Sequence, residues 1–173
     1  MKTYRRSFKN YLDGLSRRQP SPGGGSVVCL LFCQGTSLLE KALQYSQTKK
    51  QRHLSAYIDS LSRLRRRIYP YIDKDSYIFG KIMSSKGKQR AHYLNQNQKL
   101  IVDVARACCA VFSLAKKMES DIKKNIISDF YIGCECVRVA LKGCILNLEA
   151  NEELFGVKEK SLNIYKRIEK QWQ

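Results

Sequence analysis

The chain has 173 residues, 43% of them hydrophobic, and its 32 Lys and Arg residues against 15 Asp and Glu residues give a formal net charge of +17. This length fits one domain over residues 1–173 with a substantial buried core. The sequence shows no apolar run of membrane-crossing length and no hydrophobic block after its basic first residues. It therefore argues against a membrane span or a secretory signal and predicts a cytoplasmic protein.

Apolar residues recur at helical spacing through the first half of the chain. The pattern predicts a short amphipathic helix over residues 4–16, a largely apolar helix from Ser26 to about Tyr45, and a third helix from about Arg52. Pro70 has to break or kink this third helix, because proline removes a backbone donor and its ring clashes with the preceding turn.

The same spacing continues through the second half. It resumes at Ile72 and runs to about Ser84, and the clearest core helix is predicted over residues 91–120. A further helix follows a Ser-Asp pair at positions 128–129, and a terminal helix ends the pattern. Since no stretch alternates like a strand and no internal repeat is present, the sequence predicts an all-α, antiparallel multi-helix bundle with short loops.

A turn rich in proline and glycine, PSPGGGS at residues 20–26, directly precedes the apolar helix. Consecutive glycines let a ligand approach the bare backbone, and the N–H groups at a helix N-terminus attract anions. We therefore predict that Gly23, Gly24, Gly25 and Ser26 bind an anionic or carbonyl part of a ligand. Such a turn is weak evidence by itself, since most glycine-rich stretches are only linkers.

A second motif begins with Ser128 and Asp129 and continues into the next helix. Its further members are Gly133, Ala140, Leu141, Lys142, Gly143, Asn147 and Asn151. Between the two motifs lies a shorter acidic one, Ile72-Asp-x-Asp75 followed by Phe79 and Met83. Over about residues 8–152 the three motifs resemble the cyclodeaminase/cyclohydrolase family, which includes formiminotetrahydrofolate cyclodeaminase and methenyltetrahydrofolate cyclohydrolase.

The resemblance implies an enzyme of tetrahydrofolate one-carbon metabolism. Cyclodeaminases close a formimino group onto the neighbouring nitrogen and release ammonia, whereas cyclohydrolases add water to the 5,10-methenyl cation and give the 10-formyl form. Both reactions pass through a tetrahedral carbon between two nitrogens, so we expect a folate substrate, no metal and no further cofactor. The family also implies a homodimer with its cleft near the subunit contact. Which of the two reactions applies is left open by the residues.

The resemblance assigns catalysis to Ser128 and Asp129. Asp129 is expected at a helix start, where the helix dipole favours a carboxylate, and Ser128 is placed to cap that helix or to hydrogen-bond the substrate. Asn147 and Asn151, one turn apart, are predicted to bind the edges of the pterin. Spacing alone also fits other roles, which are capping for the Ser-Asp pair and a bridge between helices for the two asparagines.

Asp73 and Asp75 form a second acidic site, with Asp73 predicted to be catalytic and Asp75 to bind substrate. Two residues apart on a helix do not share a face. We therefore expect one carboxylate in the cleft and the other in solvent. A salt bridge to the surrounding arginines is the competing interpretation.

Three lysines are assigned to substrate binding. Lys49 and Lys50 match a basic pair that follows the second helix in the family and are predicted to hold the glutamate tail of folate, although a helix end with two solvated cations is the simpler alternative. Lys142 stands where the family usually has Arg. The positive charge also predicts nonspecific polyanion affinity, while no motif that reads nucleic acid is present.

The seven cysteines are predicted to be reduced packing residues, because their number is odd and they stand where the family carries small residues. A metal site is not expected, since Cys-x-x-Cys spacing is absent.

The second helix departs from the family's Ala- and Gly-rich pattern at Leu31, Phe32, Gln34, Glu40 and Lys41. Side chains of this size fill part of a folate cleft if they point into it. The alternative function is therefore a non-catalytic helical relative that keeps the scaffold and binds folate or polyanions.

Overall fold

The computed structural model describes residues 8–48 and 54–172. Within these residues the chain forms seven α-helices, two short 3-10 turns and no strand. The helices are α1 (Phe8–Leu15), α2 (Gly24–Ser46), α3 (Leu54–Ile68), α4 (Tyr71–Ser84), α5 (Gly87–Met118), α6 (Ile127–Phe155) and α7 (Leu162–Lys170). The prediction of an all-α bundle is confirmed.

α2 and α6 form the centre of the bundle. They run antiparallel, so that Lys41 near the end of α2 meets Asp129 near the start of α6. The two backbones approach closely at Gly35 and Gly133, where a methyl group added to Gly35 would lie 2.7 Å from the Gly133 carbonyl oxygen. Glycine costs helix propensity, and this close crossing is the physical reason for having it in the interior of both helices.

Most helix boundaries follow the sequence pattern. Pro70 separates α3 from α4, as predicted. α2 begins at Gly24, two residues earlier than predicted, and α5 begins at Gly87, four residues earlier, where a positive φ of 52° suits glycine. The first turn of the predicted 4–16 helix lies outside the described residues.

The core is made by the apolar sides of the long helices. Side chains with almost no solvent exposure include Phe32, Leu39, Val111, Met118, Phe130 and Leu141. Five of the seven cysteines are buried among them, Cys109 and Cys136 are half-buried, and all seven are free. The predicted packing role is therefore confirmed for the five buried cysteines.

α2 corrects one expectation from the sequence. Its 23 residues are long and apolar enough to cross a membrane by length and composition, although no such run was expected. More than half of its apolar stretch is buried inside the bundle, because α3, α4 and α6 pack around it. A central helix of a bundle needs the same apolar composition as a membrane span.

Candidate active site

A cavity of about 220 Å³ opens at the N-terminus of α2 and is closed by α4, α5 and the last turns of α6. Its walls combine bare backbone, one carboxylate, three amides and apolar side chains. The lining residues are Pro20, Gly23, Gly24, Gly25, Asp75, Phe79, Asn97, Ile101, Asn147, Ala150, Asn151, Leu154 and Phe155. Four segments far apart in sequence therefore meet in one place.

The carboxylate of Asp75 sits directly against the first turn of α2. It accepts a hydrogen bond from the Ser26 backbone N–H, while Gly23 at the N-cap position provides no side-chain cap. A methyl group on Gly25 would lie 2.6 Å from Asp75 Cγ. Gly25 is thus required because Asp75, from another helix, occupies the space of a side chain and takes over the capping role.

Burial changes the acidity of this carboxyl group. Asp75 is only 6% exposed, and desolvation raises its pKa from 3.8 to about 6, against the opposing effect of the hydrogen bonds from Ser26 and Asn97. A carboxyl group that titrates close to neutral pH can both accept and donate a proton. Such a group at the wall of a cavity is typical of a catalytic acid or base.

A chain of amide hydrogen bonds leads from Asp75 through the bundle. Asn97 Nδ2 donates to Asp75 Oδ1 (3.3 Å), and Asn151 Nδ2 donates to Asn97 Oδ1 (3.1 Å) and to Gln98 Oε1 (3.4 Å). Gln98 in turn donates to Glu159 (3.4 Å). Each amide fixes the orientation of the next, so the carboxylate is held by a connected buried network.

Sequence reasoning missed Asn97 and Gln98. Both are buried on α5, on the same face as Leu94 and Ile101. The sequence did carry a signal for them, since two adjacent amide residues on the apolar face of a core helix need hydrogen-bond partners inside the protein.

Several predicted binding residues come together in this cavity. Gly23, Gly24 and Gly25 line one wall, and Asn147 and Asn151 line another. Asn147 Oδ1 lies 3.6 Å from the position that a Cβ on Gly24 would take. The glycine turn and the asparagine pair therefore adjoin in the wall of one site, together with Asp75.

Two further predicted residues lie beside the cavity without lining it. The Ser26 side chain is fully buried and donates to the Tyr11 hydroxyl (3.2 Å), so only its backbone faces the site. Asp73 is buried as well, at 4% exposure. The expectation that either Asp73 or Asp75 is solvated is therefore wrong.

Asp129 lies at the other end of α6. Eighteen positions separate it from Asn147, which is about 27 Å along a helix. Its carboxylate accepts a hydrogen bond of 2.6 Å from Lys41 Nζ, and this contact raises the pKa of Lys41. Ser128 is exposed. The glycine turn and Asp129 thus do not share a pocket within one chain.

The three lysines that were predicted to bind substrate are not among the described residues of the cavity wall. Lys142 is exposed on α6 and does not line the cavity, and Lys49 and Lys50 lie outside the described residues. The capping alternative for Ser128 is wrong, because α6 has Ile126 at its N-cap position and no side-chain cap.

The bulky residues of α2 do not fill the cavity. Phe32 is buried in the core, and Glu40 forms a two-pronged ion pair with Arg65 (both contacts 2.9 Å). Leu31, Gln34 and Lys41 do not line the cavity either. The large side chains of α2 that suggested a blocked cleft therefore do not line this cavity.

The fold and the site define a helical domain with a cavity at a helix N-terminus and a buried carboxyl group of raised pKa in its wall. Residues 7–170 match the family model described as Formiminotransferase-cyclodeaminase. The chain therefore belongs to the formiminotransferase-cyclodeaminase family.

Two similar proteins extend this result. Methenyltetrahydrofolate cyclohydrolase from Methylorubrum extorquens is 25% identical over 163 residues, covering 84% of this chain and 78% of that protein. The crystal structure of formiminotetrahydrofolate cyclodeaminase from Thermotoga maritima matches with a TM-score of 0.80 and 19% identity, covering 96% of this chain and 87% of the other. The second match supports the helical fold.

Proposed function

We propose that this chain is a methenyltetrahydrofolate cyclohydrolase with Asp75 as its acid and base. The observation that carries the proposal is the buried carboxyl group, with its pKa raised to about 6, in the wall of a cavity between the glycine turn and the asparagine pair. Support also comes from the name of the Methylorubrum relative. The Thermotoga protein, at 19% identity, supports only the fold.

The charge of Asp75 suits the substrate of this reaction. The 5,10-methenyl bridge is a cationic amidinium carbon, which an ionised carboxylate stabilises strongly in a cavity with few other polar groups. The same carboxylate accepts a proton from the water that attacks this carbon. The resulting tetrahedral carbon carries one hydroxyl group and two nitrogens.

Collapse of the tetrahedral carbon completes the reaction. One carbon–nitrogen bond breaks, the hydroxyl group becomes the carbonyl of the 10-formyl product, and protonated Asp75 returns its proton to the departing nitrogen. The balance is one water consumed and one proton released to solvent from the former hydroxyl group. The substrate is already an activated cation, so the proposed steps use water and the side chains of the protein.

The shape of the cavity fits the ring end of the substrate. Phe79 and Ile101 provide apolar walls for a flat pterin, and Asn147 and Asn151 offer amides to its polar edges. A volume of about 220 Å³ is smaller than that of a pocket for a whole drug-sized ligand, about 300–1,000 Å³. We therefore place the pterin and the one-carbon bridge inside and the glutamate tail outside, near the positive surface.

The experiment is a spectrophotometric assay of 5,10-methenyltetrahydrofolate consumption, with the formimino substrate assayed in parallel for ammonia release. We expect hydrolysis of the methenyl form, and a loss of about 10²-fold or more in kcat for Asp75→Asn, as for removal of a general acid or base. Asp59→Asn, an exposed carboxylate on α3, is the control and should retain full activity.

Each other result has a defined meaning. Ammonia release without methenyl hydrolysis would make the chain a cyclodeaminase. Folded protein that binds the folate but turns over neither substrate would establish the non-catalytic alternative. Full activity in Asp75→Asn would remove Asp75 from the mechanism.

A further inference from the structure

The amide network that begins at Asp75 ends at a second carboxylate, that of Glu159. This residue is half-buried in the short connection between α6 and α7. Its Oε1 accepts a hydrogen bond from the Ser161 backbone N–H (3.0 Å), and its Oε2 accepts one from Gln98 Nε2 (3.4 Å). Glu159 does not line the cavity, so its only link to the site is through the network.

The end of α6 turns the chain back toward the network. Gly156 ends this helix with a φ of 70°, a left-handed conformation that suits glycine. The Val157 backbone N–H then donates to the backbone carbonyl of Asn151 (3.2 Å). Since the side chain of Asn151 belongs to the network, the turn that holds this residue also brings Glu159 to Gln98.

A carboxylate at each end gives the network one direction. An ionised carboxylate only accepts hydrogen bonds, so Glu159 requires the NH2 group of Gln98, and the oxygen of Gln98 is left for Asn151. The two hydrogens of the Asn151 NH2 group reach Gln98 Oε1 (3.4 Å) and Asn97 Oδ1 (3.1 Å). Asn97 is thus left with its own NH2 group for Asp75 (3.3 Å).

An amide that turned over by itself would bring like groups together. Gln98 would then point its oxygen at the Glu159 carboxylate and its NH2 group at that of Asn151. Such mismatches are costly here, because Asn97, Gln98 and Asn151 are only 4%, 8% and 7% exposed and solvent offers little compensation. The three amides therefore turn over together or not at all.

We propose that Glu159 is a positioning residue for Asp75. Acting through the amides between them, it keeps the NH2 group of Asn97 directed at that carboxylate, which stabilises the ionised form. A protonated Asp75 would instead donate to the oxygen of Asn97, and this requires Asn97 to turn over. Asn151 and Gln98 would have to turn with it, which Glu159 opposes because it cannot donate.

The other titratable groups around Asp75 stay neutral in its range. Tyr11 on α1, Cys29 on α2 and Cys144 on α6 interact with it electrostatically, and burial raises the pKa of each of them. Asp73, two residues away on α4, does not share its helix face. From α5 it meets an uncharged amide. A change in its titration therefore reports on the network.

The charge of Glu159 acts in the opposite sense to its positioning role. A second negative charge disfavours ionisation of Asp75, so loss of the charge alone would lower the pKa of Asp75. Loss of the positioning would raise this pKa. Tyr165 on α7 interacts with Glu159 and accepts a hydrogen bond from Arg106, but neither residue belongs to the amide network. The sign of the change thus separates the two effects.

A second consequence concerns the ligand, and it rests on the proposed function. Both hydrogens of the Asn151 amide are used inside the network, so its carbonyl oxygen is the part left for the cavity that this residue lines. A pterin carries an amino group and a ring N–H, which a fixed acceptor recognises. Glu159 therefore also makes the site select a ligand edge that donates.

The first test needs no substrate. Carbon-13 NMR of the aspartate carboxyl groups follows the titration of Asp75, whose signal is the one missing in Asp75→Asn. Glu159→Gln keeps the side-chain length and offers Gln98 either an oxygen or an NH2 group. It should raise the pKa of Asp75 by about half a unit to one unit. Glu153→Gln, which removes an exposed charge at the end of α6, is the matched control and should give no rise.

A second variant breaks the same path one residue further in. Gln98→Met has a similar shape and cannot transmit the direction set by Glu159, so it should give a similar rise. The double variant should rise no further than either single one, because both changes act on one link. An unchanged or lowered pKa of Asp75 in folded Glu159→Gln, or additive rises in the double variant, would overturn the proposal. Gln98→Met alone decides if Glu159→Gln does not fold.

The last test uses turnover of methenyltetrahydrofolate. In Glu159→Gln the apparent pKa of the kcat/KM profile should rise as in the NMR titration, and KM should rise about two- to tenfold. Glu153→Gln should change neither. An unchanged KM beside a raised pKa would overturn the selection of a donating ligand edge. If the wild-type chain turns over no folate, the proposed function fails, while the NMR titration still decides the role of Glu159.

Discussion

The two ends of α6 hold acidic groups of very different character. At the C-terminal end, Asp75 of α4 is 6% exposed against Asn97 and Asn151. At the N-terminal end, the side chain of Asp129 is 23% exposed and pairs with a half-exposed Lys41. Desolvation raises the pKa of the first carboxyl group, whereas the second forms an ordinary ion pair near solvent. Burial, and not the presence of a carboxylate in a motif, is what raises the pKa of Asp75.

The largest expected effect on stability is a steric clash at the Asp75 end of α6. Gly25→Ala places a methyl group against the Asp75 carboxylate and should lower the free energy of unfolding by about 1–3 kcal/mol and also reduce activity. Gly80→Ala is the matched control, because Gly80 lies inside α4 with nothing within 4 Å of an added Cβ. It should stabilise the chain by up to about 1 kcal/mol. Urea denaturation of both variants is the measurement, and equal stability of the two would contradict the packing of Asp75 on α2.

A smaller effect is the pH dependence of stability. Because the pKa of Asp75 in the folded chain is raised to about 6, protonation of this group favours the folded state. The resulting contribution to the free energy of unfolding is complete below the unfolded pKa and is lost as the pH rises through about 6. Between pH 5 and pH 8 the wild-type chain should therefore lose about 1 kcal/mol relative to Asp75→Asn. Parallel stability curves for the wild type and Asp75→Asn would contradict the assignment.

The smallest effect is expected at the exposed ion pair. Lys41→Ala should leave the free energy of unfolding unchanged within error, because exposed ion pairs contribute little to stability. Urea denaturation of the variant beside the wild type is the measurement. A clear loss of stability would give the Lys41–Asp129 pair a structural role that its exposure does not predict.

The sequence predicted the helical fold because apolar spacing is a local property. Pro70 marks the break between α3 and α4, and the core faces of α5 and α6 follow from side chains three and four residues apart. The membrane-length composition of α2 was missed, because no pattern distinguishes a central bundle helix from a membrane span.

The site was predicted only in part. The glycine turn and the asparagine pair were found as motifs, and they do meet in the cavity. Asn97 and the raised pKa of Asp75 were not predicted, because a raised pKa depends on burial by helices that are distant in sequence. The sequence also did not predict that Asp129 lies outside this cavity, since a position at a helix start says nothing about which cavity a side chain faces.

The pH dependence of methenyltetrahydrofolate hydrolysis is the most direct test of Asp75 as the acid and base. After subtraction of the uncatalysed rate, kcat/KM of the wild-type protein should rise with pH through an apparent pKa of about 6, and Asp75→Asn should lose this rise together with most of the rate. A wild-type profile that is flat between pH 5 and 8, or one that Asp75→Asn leaves unchanged, would contradict it.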